Sequence, residues 1–220
     1  MTQAHRSRPA LVVIAKAPVA GLVKTRLCPP LDEQQAALVA QAALSDTLAA
    51  VIATRAARHV LVLDGEPGDW LPDGVELVRQ REGTLATRLA DAFLDVGGPA
   101  LLIGMDTPQV TPALLALGLD LLAARDSDSV LGLTPDGGYW AIGLRRADRR
   151  VFSGVPMSSS RTGAMQSQRM HELGLRPRAL PRLRDVDRYE DAVAVAAIVP
   201  AGGFARIVRA TSQDLLEAAV

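Results

Sequence analysis

The residues with chemical potential in this 220-residue chain sit in a few short stretches. Residues 101–108 read Leu-Leu-Ile-Gly-Met-Asp-Thr-Pro, an apolar run that stops on Gly104 and Asp106. Such a run suits a buried parallel strand whose carboxyl end carries the acid. Ligands of open α/β sheets gather at that end of the strands. A carboxylate there, beside a glycine that admits a ligand to the backbone, can hold a divalent metal against a phosphate. The plainer role for Asp106 is to cap the next turn.

Residues 16–26 form a second stretch, Lys-Ala-Pro-Val-Ala-Gly-Leu-Val-Lys-Thr-Arg. Of the 24 basic residues only two, Lys16 and Lys24, are lysines, and both fall in this loop. With Gly21, Thr25 and Arg26 they make a plausible polyphosphate cradle, in which glycine gives close approach and cations neutralise charge. The loop is not a Walker A motif, since Pro18 and Val23 stand where glycines are needed, and no dinucleotide fingerprint follows the strand. Thr134-Pro-Asp-Gly-Gly-Tyr139 is first a tight turn, and it puts Asp136, Gly137 and Gly138 where they can face the site of Asp106. The hydroxyl-rich residues 156–162, with Ser160, Arg161 and Thr162, precede a helix; Thr162 is the expected N-cap, and such an N-terminus also suits anions. Asp187 and Glu190 fit a capping box, or Asp187 serves as a second metal carboxylate.

These stretches need elements to hold them. Residues 10–15 are a strand candidate rich in β-branched residues. Asp32 and Gln35 form a capping box for a helix to about Arg55, with Leu44, Leu48, Val51 and Ile52 on one face. Strands follow at 59–63 and 75–78. Leu85, Leu89, Phe93 and Val96 mark the core face of a helix that carries Arg88 in its first turns. Thr111-Pro112 opens a leucine-rich helix. Strands are expected at Ser129–Leu133 and Tyr139–Leu144, paired as a hairpin, with a last strand at 176–180 and a helix after Asp187. Residues 1–9 read as a frayed N-terminus, 10–210 as one domain, and 211–220 as a tail with weak amphipathic character.

Composition narrows the classes. Hydrophobic residues make up 49%, so the chain is not of the disordered kind. A formal net charge of zero argues against a dedicated nucleic-acid or anionic-membrane binder. One cysteine, Cys28, and three scattered histidines exclude a disulfide framework and a thiolate or imidazole metal site. The N-terminal apolar run is too short to span a membrane, and the expected location is cytoplasmic.

The order of these motifs resembles a known family, the bacterial GT-A-type proteins described as glycosyltransferases, some linked to arsenosugar biosynthesis. That family is similar in turn to small nucleotidyltransferases such as 2-phospholactate guanylyltransferase and the molybdenum cofactor guanylyltransferases. The resemblance spans about residues 12–195. It rests most on Lys16-x-Pro18-x-x-Gly21-x-Val23-Lys24-Thr25-Arg26-Leu27, Gly104-x-Asp106-x-Pro108 and Asp136-Gly137-Gly138-Tyr139. It implies a single-domain three-layer α/β/α fold of GT-A type with a mostly parallel sheet. It further implies that Lys16, Gly21, Lys24, Thr25 and Arg26 hold nucleotide phosphates, with Gln80 and Arg88 near base and ribose. Asp106 and Asp187 would bind Mg²⁺ or Mn²⁺; Asp136, Gly137, Gly138, Tyr139, Ser160 and Thr162 would form the acceptor side. Asp106, Asp136 and Lys24 would be catalytic. The implied partners are a nucleotide or nucleotide sugar and a small acceptor, with no nucleic acid and no membrane.

The strand-end motif has one acid, Gly-Met-Asp, where many GT-A glycosyltransferases have Asp-x-Asp. Thr107 stands where many relatives have cysteine, and Arg188-Tyr189 where many have Thr-Pro. Three expectations therefore stand together: glycosyl transfer from a nucleoside diphosphate sugar, nucleotidyl transfer from a triphosphate to a small phosphorylated acceptor, and nucleotide or sugar-phosphate binding without turnover.

Overall fold

The computed structural model describes residues 8–218. The expectation for the N-terminus falls mostly on residues 1–7, outside the described residues. Pro9 is buried, and its carbonyl accepts a hydrogen bond from the Ala57 amide at 3.2 Å.

Seven strands form one sheet: β1 (Ala10–Lys16), β2 (His59–Asp64), β3 (Glu76–Arg79), β4 (Ala100–Gly104), β5 (Ser129–Leu133), β6 (Tyr139–Leu144) and β7 (Pro177–Leu180). Their order is β3-β2-β1-β4-β6-β5-β7. All pairings are parallel except those of β6, which runs antiparallel to both β4 and β5. The expected β5–β6 hairpin forms, and it reverses one strand inside an otherwise parallel sheet. Tyr139, at the start of β6, therefore stands at the same sheet edge as the carboxyl ends of β1, β4 and β5.

Alternation along each strand feeds two cores, because successive side chains point to opposite faces. On one face Leu11, Val13, Leu61, Leu101 and Ile103 pack against α1 (Glu33–Ile52) and α3 (Pro112–Ala123). On the other, Val12, Val60, Val62, Leu102 and Ile142 pack against α2 (Leu85–Val96) and Met170 of α4 (Thr162–Glu172). Two of the expected helix faces are narrower than their spacing suggested. Ile52 is 39% exposed at the last turn of α1, and Leu85 is 37% exposed at the first turn of α2, beyond the reach of the sheet.

A third cluster lies outside this sandwich. The outer face of α1 (Ala36, Val39, Ala43) packs against α5 (Tyr189–Ile198) and α6 (Gly203–Ala218) through Val195, Phe204 and Val208. The expected tail at 211–220 is not separate from the domain: α6 runs through residues 211–218. Its N-terminus is held by Asp46 of α1, whose carboxylate accepts from the amides of Gly203 (3.2 Å) and Phe204 (2.9 Å). At 20 residues α1 is long and apolar enough to cross a membrane, yet more than half of it is buried between sheet and outer helices.

Two capping expectations are corrected. Thr162 is not an N-cap: Arg161 takes that position, and the Thr162 hydroxyl instead donates to the Pro156 carbonyl (2.7 Å) and accepts from the Ser159 amide (3.0 Å). The 156–162 segment curls onto itself, and that claims the hydroxyl. Nor do Asp187 and Glu190 form the capping box of α5. The helix starts one residue later, and Asp191 accepts from the Arg188 amide at 2.9 Å. Asp187 is thereby left free for other work.

Candidate active site

A cleft of about 590 Å³ opens along the carboxyl ends of β1 and β4. It gathers Lys16, Lys24, Thr25, Arg26, Gln80, Arg88, Asp106, Asp136, Gly138, Tyr139, Ser160, Thr162 and Asp187 from stretches far apart in sequence. Gly21 and Gly137 are not among its lining residues. Gly21 gives the first loop its turn, with φ of 73°. Gly137 (φ 96°) supports the wall from behind: a Cβ there would collide with the Ser160 carbonyl, and the Gly163 amide donates to the Gly137 carbonyl at 2.7 Å.

The centre of the cleft is an ion pair. β4 ends on Gly104, buried Met105 anchors the next residue, and Asp106 projects half-exposed. Lys24 Nζ lies 2.6 Å from Asp106 Oδ1 and also donates to the Val186 carbonyl. The Lys24 side chain is only 8% exposed. Its backbone is left-handed, φ 51°, which turns the ammonium back under the loop. An ammonium buried this far needs the carboxylate beside it. At Gly104 an added Cβ would meet no atom closer than the Asp106 amide nitrogen, 3.9 Å away. Packing does not require glycine there, whereas close ligand approach would.

The strap between β7 and α5, residues 181–188, supplies two further acids, Asp185 and Asp187. It is pinned at several points: Trp140 Nε1 donates to the Pro181 carbonyl (3.0 Å), the Leu183 amide to the Leu133 carbonyl (3.3 Å) and the Val186 amide to the Asp106 carbonyl (2.8 Å). Val186 is fully buried in the third cluster, and its neighbours Asp185 and Asp187, both partly buried, line the cleft. Asp187 Oδ2 accepts from Arg26 at 2.7 Å, and this pairing raises the Arg26 pKa.

Sequence reasoning did not single out Asp185. Its carboxyl is pushed up to about 6, first by burial and then by the nearby charges of Asp136 and Asp106. The signal available was its place in Asp185-Val-Asp187, two acids flanking one apolar anchor. Without the tertiary anchor, that pattern looks like the approach to a helix. Asp136 is fixed by its own turn: Oδ1 accepts from the Thr134 hydroxyl and, at 2.9 Å, from the Gly138 amide. Tyr139 is half-buried, its hydroxyl 3.4 Å from Gln166 Oε1, and burial pushes its pKa up so that it stays protonated.

The opposite end of the cleft is built from β2, β3 and α2. The Gln80 amide donates to the Leu63 carbonyl at 2.7 Å, and Gln80 Oε1 accepts from Arg88 at 2.7 Å. Arg88 also lies 3.7 Å from Asp64. Its Nε is buried with no hydrogen-bond partner among the described residues. An orphaned buried guanidinium N–H costs free energy.

Hard oxygen donors make up the acidic set, which suits Mg²⁺ or Mn²⁺. Among the described residues no three acids, histidines or cysteines sit close enough to cage an ion by themselves.

A mostly parallel sheet with one reversed strand and a cleft at its carboxyl edge is the nucleotide-diphospho-sugar transferase fold. A provisionally named nucleotide-diphospho-sugar transferase from Desulfovibrio desulfuricans G20 superimposes with a TM-score of 0.84 at 22% identity, over 96% of this chain and 98% of that one. CMP:2-keto-3-deoxy-manno-octonic acid synthetase, solved with CTP, matches at a TM-score of 0.57 and 12% identity, over 87% and 98%. A cytidylyltransferase from Leptospira borgpetersenii serovar Hardjo-bovis matches at 0.56 and 14%, over 94% and 95%. At these identities the likeness establishes the fold. The chain belongs to DUF2064, a family of uncharacterized proteins conserved in bacteria, whose model matches residues 38–159. It matches no curated protein.

Proposed function

We propose that this chain is a metal-dependent transferase whose donor is a nucleoside diphosphate sugar. The observation that carries the reading is the Lys24–Asp106 pair at the strand ends, with Arg26–Asp187 beside it. Two carboxylates and two cations face one cleft, each pair poised to separate when a metal and a diphosphate enter together. Asp106 and Asp187 would hold the metal. When bound, a divalent metal supplies charge neutralisation on the departing diphosphate. Lys24, Arg26 and Lys16 would add to this along the first loop. Gln80 and Arg88, which line the cleft, would receive the nucleoside.

In the transfer step an acceptor hydroxyl oxygen bonds to the anomeric carbon. The bond from that carbon to the diphosphate oxygen breaks, and the nucleoside diphosphate leaves with the electron pair. Asp136 takes the hydroxyl proton. The resemblance to arsenosugar-linked glycosyltransferases belongs to this proposal, as does a cytoplasmic location.

Nucleotidyl transfer is the second reading, favoured by the four cations lining the donor end. There a phosphorylated acceptor would attack the α-phosphorus of a triphosphate and expel pyrophosphate. A thermal-shift panel separates the readings, because a ligand of the folded state raises the melting temperature by mass action. We expect a Mg²⁺- or Mn²⁺-dependent rise with one nucleoside diphosphate sugar that exceeds the rise with its triphosphate. A larger response to a triphosphate would transfer the case to nucleotidyl transfer. No response to either class would refute both.

A further inference from the structure

We propose that Gln109 is the positioning residue that holds Asp187 in register with Asp106; the pairing of these two carboxylates in one site rests on the transferase reading above. Gln109 lies in the turn after β4, three residues past Asp106. It is buried and is not among the residues that line the cleft. Its side-chain amide nitrogen donates instead to the Arg184 carbonyl, 75 residues further along the chain. The turn itself is tight. The Val110 amide donates to the Thr107 carbonyl at 3.0 Å, and both residues are buried. Asp106 and Gln109 therefore belong to one short piece of chain, the first lining the cleft and the second bonded to the strap.

Two bonds join that piece to the strap. The Asp106 carbonyl accepts from the Val186 amide at 2.8 Å, and Gln109 holds the carbonyl of Arg184, two residues earlier. One bond would leave the strap free to pivot about it; two at different residues fix its direction as well as its distance. Lys24 makes a third attachment, at the Val186 carbonyl, but the same ammonium pairs with Asp106. On the transferase reading that ammonium turns to the diphosphate when the donor binds, and the Gln109 bond stays. Beyond Val186 the Asp187 amide lies 3.4 Å from Asp191 Oδ2, which also accepts from the Arg188 amide at 2.9 Å. Asp187 is thus set between the hold of Gln109 on one side and the start of α5 on the other. The second half of the Gln109 amide gains nothing. Its Oε1 is buried with no hydrogen-bond partner among the described residues, and an acceptor buried in that state costs free energy. A methionine of similar length would fill the space without that cost. Packing alone does not account for glutamine here, whereas the bond to the strap does.

The test compares the parent with Gln109→Met by amide hydrogen exchange and by calorimetric titration with magnesium pyrophosphate, a diphosphate that carries neither base nor sugar. We expect an unchanged or higher melting temperature, because the unsatisfied oxygen is gone. Exchange at the Val186 amide should be faster by about three- to tenfold, the equivalent of one hydrogen bond. Amides inside β1 should exchange no faster than in the parent. The dissociation constant for magnesium pyrophosphate should rise by about the same factor as the Val186 exchange rate. Gln109→Asn keeps the amide but is one methylene too short for the Arg184 carbonyl, so it should repeat the effect at Val186, and it decides the matter if the methionine variant does not fold. Equal acceleration in β1 and at Val186 would make Gln109 a general structural residue and overturn the proposal. Parent-like exchange at Val186 would overturn it too, as would faster exchange there with pyrophosphate affinity unchanged. If the parent itself does not bind magnesium pyrophosphate, the donor reading fails, while exchange at Val186 still decides whether Gln109 holds the strap.

Discussion

Asp106 and Lys24 have unequal surroundings, and a substitution will show it. The carboxylate is 46% exposed and the ammonium side chain 8% exposed. In Asp106→Asn the buried ammonium keeps the Val186 carbonyl and loses its counter-charge. We expect turnover with the donor that the thermal panel identifies to fall by about 10²–10³, with a lower melting temperature as well. Full activity in this variant would remove Asp106 from the mechanism. Asp185 gives a pH dependence whose sign follows from its raised pKa. In the unfolded chain it ionises near 3.8, and in the folded chain near 6. The folded state therefore holds a proton that the unfolded state has released. The stability this proton contributes is fully present below 3.8 and is lost as pH rises through about 6. Asp185→Asn carries no such charge, so it should match the parent in urea denaturation near pH 4 and exceed it near pH 7.5. Parallel stability profiles would show that Asp185 is not strained in this way.

Elements position one wall of the cleft through one close contact. The turn at 134–138 and the segment at 158–162 meet where Gly137 lies against the Ser160 carbonyl. In Gly137→Ala the new Cβ would meet backbone that cannot swing aside, at a φ of 96° that alanine resists. A loss of about 2–4 kcal/mol is expected, read by chemical denaturation; a loss below 1 kcal/mol would mean the two segments can part. Gly104→Ala is the informative contrast. Open space surrounds that position, so stability should change by less than about 0.5 kcal/mol while nucleotide binding weakens. Unchanged binding in Gly104→Ala would show that no ligand approaches the end of β4.

At the scale of the whole molecule, the third hydrophobic cluster does more than cover α1. It buries Leu27, one residue past Arg26, and Val186, between Asp185 and Asp187. The first loop, which carries Lys24 and Arg26, and the 181–188 strap, which carries Asp187, thus share one anchor with the C-terminal helix. Phe204→Ala should cost about 3–5 kcal/mol and should also weaken nucleotide affinity, measured at a temperature where the variant remains folded. Leu122→Ala, in the core between sheet and α3, should cost about 2–5 kcal/mol with affinity unchanged. Equal effects of the two variants on affinity would mean that the anchor is general stability and not a specific support for the site.

The sequence by itself determined what local physics governs. Periodicity and β-branching located the strands, Asp32 and Gln35 capped α1, and Asp-Gly-Gly made the β5–β6 turn. An apolar run ending on Gly-Met-Asp marked Asp106 because a buried strand must finish at a sheet edge. Only the tertiary structure decided which charges meet. Lys24 reaches the Val186 carbonyl across 162 residues, and Arg26 reaches Asp187 across 161. No window of sequence contains both partners, and their meeting depends on strand order and on the seating of Val186 between helices. The same reason explains Asp185 and Thr162. Burial shifts the one and a curled loop claims the other, and both are properties of neighbours brought together by packing, which propensities acting over three or four residues do not encode.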